Sequence, residues 1–128
     1  MPRRKSRRAK RGTYVSTKTG QVCKYRSNWE KLYMEHLDAD ADVIDWKYEA
    51  FDIPYVSNKK TGRIRVYRPD FYVVRTKSRK QLIEVKPSRR VDKPTVVKKA
   101  DAARSWCEIN DISYEFVTEV DLKSLGLL

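Results

Sequence analysis

The chain has 128 residues, a formal net charge of +12 and a pI near 9.8, and 40% of its residues are hydrophobic. This length suits one domain with a modest core, and the charge indicates a polyanionic partner, of which nucleic acid is the usual one. Cys23 and Cys107 stand far apart without metal-ligand spacing, which argues against a structural zinc site and a disulfide framework. With no signal peptide or long apolar segment, we expect a soluble intracellular protein without a membrane span.

Residues 1–24 are predicted to form a disordered basic arm ahead of a single domain at residues 25–128. Ten Lys and Arg residues and no acid lie in residues 1–26. Such a segment repels itself and cannot pack, but it suits contacts along phosphates. The arginines expected to contact DNA here are Arg3, Arg4, Arg7, Arg8 and Arg26. A tail that only aids solubility or localisation remains the alternative.

The first helix is predicted from Ser27 to about Asp38. Ser27 and Glu30 have the spacing of a capping box, and the apolar residues that follow recur at helical spacing. From Val43 the apolar period changes to two, which predicts a strand that Pro54 ends. A turn at residues 57–62 leads to a second alternating strand at residues 63–68, and we interpret the two strands as a hairpin.

The second half of the chain alternates strands and helices. Strands are predicted at residues 70–74, 81–86 and 114–118, and helices at residues 95–110 and 120–125. A helix between two parallel strands requires a right-handed crossover. The predicted fold class is therefore α/β, with a mixed β-sheet of four to five strands flanked by helices on both faces.

The pattern that carries chemistry is Asp70, followed fourteen residues later by Glu84 and then Lys86. Glu84 and Lys86 are two residues apart in a strand and share a face, which Asp70 can reach if its strand pairs alongside. Two carboxylates suit Mg²⁺, a cation that activates phosphodiesters towards water, and an ammonium beside them can orient that water.

A surface salt bridge is the simpler explanation for a Glu-Val-Lys pair on a strand. Here, however, the strand reads Leu-Ile-Glu-Val-Lys-Pro, so the charges lie within an apolar segment. Burial of charge without a partner is costly, and the Pro69-Asp70 dipeptide adds a second, independent element. Together the two elements favour a catalytic site over a salt bridge.

Residues 68–71 (Arg-Pro-Asp-Phe) and 83–87 (Ile-Glu-Val-Lys-Pro) resemble the PD-(D/E)xK nuclease superfamily. More narrowly, residues 25–31 (Tyr-Arg-Ser-Asn-Trp-Glu-Lys) and 53–55 (Ile-Pro-Tyr), together with these segments, resemble the head-completion nucleases of T-even-like tailed phages. The layout is also similar to that of the endonuclease subunit of heteromeric transposases. The resemblance spans roughly residues 25 to 125.

The resemblance implies a restriction-endonuclease-like core that cleaves DNA phosphodiesters with Mg²⁺, for which Mn²⁺ can substitute. Asp70, Glu84 and the main-chain carbonyl of Val85 are then expected as metal ligands, and Lys86 as the residue that handles the water. It further implies that Glu30 is a catalytic acid, whereas the residues alone predict only a capping role, and both interpretations stay open. A role in head completion and DNA end processing implies DNA and capsid, portal or neck proteins as partners, in the host cytoplasm or the virion.

Basic residues flank the proposed site, and they serve either as phosphate clamps or as solvated charge. Their closeness to Lys86 favours clamps for Arg89 and Arg90, and Arg68 and Lys93 complete the set of expected DNA contacts. Nothing in the sequence encodes contacts with base edges, so no sequence specificity is predicted.

Two other functions remain open at this stage. A junction resolvase on the same fold would act as a homodimer with two sites and would cleave branched DNA. A non-catalytic nucleic-acid-binding or capsid-associated protein would bind through residues 1–26 without any metal.

Overall fold

The computed structural model describes residues 11–128. In this part of the chain the helices are α1 (Asn28–Ala39), α2 (Pro94–Ile109) and α3 (Glu119–Ser124). The strands are β1 (Gly12–Val15), β2 (Val22–Tyr25), β3 (Val43–Tyr48), β4 (Ile53–Asn58), β5 (Arg63–Tyr67), β6 (Phe71–Arg75), β7 (Arg79–Val85) and β8 (Ser113–Val117). The expected arm residues Arg3, Arg4, Arg7 and Arg8 lie outside the described residues.

A mixed four-stranded sheet with the order β3-β6-β7-β8 forms the centre of the molecule. Strand β6 is antiparallel to β7, with Phe71 opposite Ile83, so the strands that carry Asp70 and Glu84 are neighbours as predicted. Strand β8 is parallel to β7, and α2 makes the crossover between them. The predicted mixed α/β sheet is confirmed.

Alternating residues of β7 pack into two separate apolar clusters. Ile83 and Val85 join the cluster that contains Leu37 of α1 and Leu122 of α3. Leu82 joins the cluster that contains Cys107 of α2 and the inner face of the β4–β5 ribbon. Since neighbouring strand residues point to opposite faces, α1 and α3 cover one face of the sheet and α2 covers the other. None of the helices within residues 11–128 is long and apolar enough to cross a membrane.

The predicted hairpin between the strand at Val43 and the strand at residues 63–68 is wrong. Strand β3 pairs with β6, and the partner of β5 is β4, in a separate two-stranded ribbon. Pro54 lies inside β4, opposite Val66, because a two-stranded ribbon has free edges where a missing N–H costs little. The chain leaves β3 at Glu49, which has a positive φ of 52° and donates its backbone N–H to the main-chain carbonyl oxygen of Asp70 at 2.8 Å.

The expectation of disorder up to residue 24 does not hold for residues 12–24, because β1 and β2 form an antiparallel hairpin. Cys23 of this hairpin is buried in the main core, and Tyr14 and Tyr25 pack against the same core. A carboxylate on α1 anchors the hairpin: Asp38 accepts hydrogen bonds from Tyr14 (2.5 Å) and Ser16 (2.7 Å), and also from the indole of Trp46 on β3 (2.8 Å). Lys18 and Gln21 add hydrogen bonds from the hairpin loop to backbone carbonyls around β3. Composition alone could not reveal this hairpin, because its anchor lies in a later element.

We predict that Asp38→Asn lowers the free energy of unfolding by about 1–3 kcal/mol, because an amide cannot accept all the hydrogen bonds donated to Asp38 and Trp46 is fully buried. Burial acts to raise the pKa of Asp38, but the bonds from Tyr14, Ser16 and Trp46 outweigh it and hold the pKa below its ordinary value. The stabilisation is therefore complete above the unfolded pKa of about 3.9 and disappears as the pH falls through the lower folded value.

Denaturant titration of the wild type and the variant at neutral and acidic pH measures both effects. The control is Asp92→Asn, the same chemical change at an exposed position. Equal stabilities of the two variants at neutral pH would contradict the assignment of Asp38 as the anchor.

Candidate active site

The candidate site lies at the edge of the central sheet where β7 ends and β6 begins. Because the two strands are antiparallel, Asp70, just before β6, comes opposite the end of β7. The Asp70 carboxylate accepts a hydrogen bond from the Val85 N–H at 2.8 Å. Asp70 thus meets the Glu84–Lys86 segment, as the sequence predicted.

Three acidic side chains converge on one cavity. Among residues 11–128 the buried acids are Glu30, Asp70 and Glu84, which are 7%, 4% and 8% exposed. All three line a cavity of about 870 Å³, together with Val85 and Lys86. Burial of several like charges in one place is costly and is typical of functional sites rather than of structural ones.

The electrostatics of the cavity favour added positive charge. Burial, together with the charges of Glu84 and Glu30, raises the pKa of Asp70 well above its ordinary value. Burial also raises the pKa of Glu84, although Lys86 and the Tyr67 hydroxyl act in the opposite direction. Two carboxylates that repel each other in a buried site are stabilised by a cation or by shared protons.

Two side chains hold the carboxylate of Glu84. The Tyr67 hydroxyl donates a hydrogen bond to Glu84 Oε1 at 2.8 Å, and Lys86 Nζ lies 3.3 Å from Glu84 Oε2. The Tyr67 oxygen is also 2.8 Å from the hydroxyl of Tyr114, which donates to it because the Tyr67 proton faces Glu84. Burial raises the pKa of Tyr67, so this hydroxyl stays a donor.

Glu30 occupies the first turn of α1, where Ser27 is the N-cap and accepts the Glu30 N–H at 3.2 Å. The Glu30 carboxylate does not return this bond to Ser27. Its Oε1 atom accepts the backbone N–H of Arg26 and the hydroxyl of Tyr48, each at 2.8 Å. Glu30 therefore accepts the N–H of Arg26, one residue before the Ser27 N–H that the predicted capping box requires. In this way it fixes the start of α1, and it also lines the cavity.

The carboxylates of the cavity fit an Mg²⁺ ion whose remaining ligands are water and substrate oxygens. Within residues 11–128, no three His, Cys, Asp or Glu side chains form a group that could bind a metal ion by themselves. Mg²⁺ is commonly bound by one or two carboxylates, with water and phosphate oxygens completing its octahedron. Asp70 and Glu84 supply that number of carboxylates, and the chain at Val85 lines the same cavity.

The predicted DNA-contacting cations divide into two groups. Arg26, Arg68 and Arg90 line the cavity, whereas the exposed Arg89 and Lys93 are not among its lining residues. Arg26 forms an ion pair with Glu49, and Arg68 Nε lies 2.6 Å from an oxygen of Asp52. Phosphate would compete with these acids for both guanidinium groups.

Sequence reasoning missed Tyr67 and Lys99. The alternation in β5 predicts that the Tyr67 side chain points inward. Its contact with Glu84, however, depends on how the ribbon docks on the sheet. Lys99, on α2, lines the cavity with its Nζ 5.7 Å from the centre of the Tyr67 ring. No signal in the sequence distinguishes Lys99 from the neighbouring lysines of that helix.

A sheet edge that carries buried acids and a lysine, with cations around it, defines a class of phosphodiester-cleaving proteins. The family model described as TnsA-like endonuclease N terminal matches residues 40–119. The head completion nuclease of Enterobacteria phage T4 is 32% identical over an alignment 124 positions long, and the match covers 80% of this chain and 82% of that protein. The chain belongs to the TnsA-like endonuclease family, whose membership implies a restriction-endonuclease-like fold and phosphodiester hydrolysis.

We predict that Tyr67→Phe reduces nuclease activity by about 10- to 100-fold, because loss of the hydroxyl releases one oxygen of Glu84, and outer-shell partners of this kind typically have effects of that size. Cleavage rates measured over a range of Mg²⁺ concentrations should show a raised metal requirement. Tyr72→Phe, the same change at a half-buried position on β6, is the control. Identical metal dependence of the two variants would contradict the positioning role of Tyr67.

Proposed function

We propose that the protein is a metal-dependent DNA endonuclease that hydrolyses phosphodiester bonds in the cavity between Glu30, Asp70, Glu84 and Lys86. The observation that carries this proposal is the burial of three acids around one cavity beside a lysine. Membership of an endonuclease family supports the reaction class.

Asp70 and Glu84 hold Mg²⁺ in this proposal, with the main-chain carbonyl of Val85 as a further ligand and Mn²⁺ as a substitute metal. When bound, the metal supplies Lewis-acid polarisation of the scissile phosphate. The Val85 N–H orients Asp70, and the Tyr67 hydroxyl orients Glu84, so neither carboxylate has to be ordered when substrate arrives. Such preorganisation is what lowers a reaction barrier.

Lys86 orients the attacking water and stabilises the negative charge that grows on the phosphate. Its ion pair with Glu84 and its place in the cavity lining support this role. The oxygen of water bonds to phosphorus and water gives up one proton, while the bond from phosphorus to one ester oxygen breaks. That ester oxygen takes up one proton and leaves as a hydroxyl, so one water molecule is consumed and no net proton is gained or lost. Glu30, which lines the same cavity from the first turn of α1, acts as the further acid of the site.

The cellular role that we propose is head completion in a tailed phage, where the enzyme processes packaged DNA ends. The name of the phage T4 relative and its 32% identity support this role. The protein would then work in the host cytoplasm or in the virion, with capsid, portal or neck proteins as partners. Arg26, Arg68, Arg89, Arg90 and Lys93 would contact DNA phosphates, as would the arginines of residues 1–10.

We predict that the wild type nicks plasmid DNA with Mg²⁺ or Mn²⁺ and is inactive in EDTA, and that Asp70→Asn and Lys86→Ala each reduce cleavage at least about 100-fold. The first variant removes a charge from the metal-binding pair, and the second removes the ammonium that faces the phosphate. Gel-based cleavage of supercoiled and single-stranded substrates, with DNA binding measured in parallel, provides the readout.

The matched controls are Asp92→Asn and Lys80→Ala, which make the same changes at exposed positions. Binding without cleavage by the wild type in every metal would overturn the catalytic proposal. Full activity of Asp70→Asn would instead show that cleavage occurs elsewhere in the chain.

We predict that Glu30→Gln reduces cleavage about 100-fold and changes the free energy of unfolding by less than about 1 kcal/mol. Glutamine keeps an acceptor oxygen for the Arg26 amide and the Tyr48 hydroxyl but removes the charge from the cavity. Cleavage assays and thermal melts of this variant beside Glu108→Gln, at an exposed position on α2, separate the two roles. Unchanged cleavage would leave Glu30 with only its capping role.

A further inference from the structure

A second group of cations lies on the β4–β5 ribbon and takes no part in the site described above. Residues 53–67 carry four basic side chains and no acid. Arg63 and Arg65 are exposed, and within residues 11–128 neither guanidinium forms an ion pair. Arg75 and Arg79, by contrast, are paired with Asp42. The ribbon therefore presents charge that the protein itself does not neutralise.

These two arginines face a groove between the ribbon and α2. Arg63 and Arg65 are two residues apart in β5 and share the face on which Tyr67 packs towards α2. The groove has a volume of about 350 Å³, and Lys98 lines it from the helix side. Lys98 Nζ donates to the carbonyl oxygen of Ser57 at 3.0 Å, which holds this third cation against the ribbon.

The groove and the active-site cavity lie next to each other, because α2 and β5 each contribute residues to both. On α2, Lys98 lines the groove and the next residue, Lys99, lines the cavity. On β5, Arg63 and Arg65 line the groove and Tyr67 lines the cavity. At a rise of about 3.3 Å per residue, Arg63 lies about 13 Å along the strand from Tyr67. That distance corresponds to about four base pairs of a duplex, at about 3.4 Å each.

The chemistry of the groove suits a duplex backbone better than a single strand. Surfaces that bind single strands usually offer exposed aromatic rings on which bases stack. Tyr55, the aromatic residue in this lining, is only 7% exposed. Guanidinium and ammonium groups at a fixed spacing match the regular phosphates of a duplex.

We propose that the groove formed by Arg63, Arg65 and Lys98 binds backbone phosphates of duplex DNA about two to four base pairs from the bond held in the active-site cavity. This inference rests on the proposed nuclease function and adds a second contact point to it. The groove sets the direction in which the duplex crosses the protein, because a duplex held at two points cannot rotate about the cleavage site.

The test is the salt dependence of DNA binding by the full chain, measured by fluorescence anisotropy in EDTA so that no cleavage occurs. In Arg63→Gln/Arg65→Gln, duplex binding should weaken, and the slope of log K against log salt should fall in magnitude by about 1.8, or about 0.9 for each lost phosphate contact. Lys80→Gln/Lys123→Gln, which removes the same charge from exposed positions outside the groove lining, should retain the wild-type slope. Arg63→Lys/Arg65→Lys, which keeps both charges, should retain most of the affinity.

Equal losses in the groove variant and in its charge-matched control would overturn the proposal, because net charge alone would then explain the effect. A loss confined to single-stranded DNA would also overturn it. Failure of the proposed function is read separately, from the absence of Mg²⁺-dependent cleavage by the wild type. The binding measurement therefore tests whether the groove binds duplex DNA, independently of whether the chain cleaves DNA.

Discussion

The hydrogen bond from the Val85 N–H to Asp70 is the constraint on which the site depends. It joins the start of β6 to the end of β7 and so fixes one carboxylate beside the segment that carries the other. The price of this arrangement is repulsion between Asp70 and Glu84, both of which are buried and have raised pKa values. The antiparallel register, with Phe71 opposite Ile83, maintains the arrangement because these neighbours lie in the fully packed sheet.

Elements outside the central sheet complete the site, and each contributes a different group. Helix α1 brings Glu30 to the cavity, the β4–β5 ribbon brings Tyr67 to Glu84, and α2 brings Lys99 over the Tyr67 ring. The same ribbon and helix also form the basic groove. The active site and the basic groove therefore depend on the same two elements. A change in how the ribbon packs on α2 would alter both of them.

The sequence was most informative where neighbours in space are also close along the chain. Asp70, Glu84 and Lys86 could be placed together because a short turn joins two strands whose side chains alternate. Tyr67 and Lys99 could not, since their positions depend on the docking of the ribbon and of α2. The partner of β3 was mispredicted because Pro54 resembled the end of a strand, and the β1–β2 hairpin was missed because Asp38, its anchor, lies on a later helix.

Each hydrogen bond that positions one of the three acids also closes a loop of the chain, and closing a loop costs conformational entropy. They join residues 15, 17 and 18 positions apart, for Asp70, Glu84 and Glu30 respectively. Loop-closure entropy grows only as about (3/2)RT ln n, so these closures differ by roughly 0.2 kcal/mol. Each of the three acids is therefore held by a closure of similar length, although the sheet around them is completed by the long-range pairing of β7 with β8.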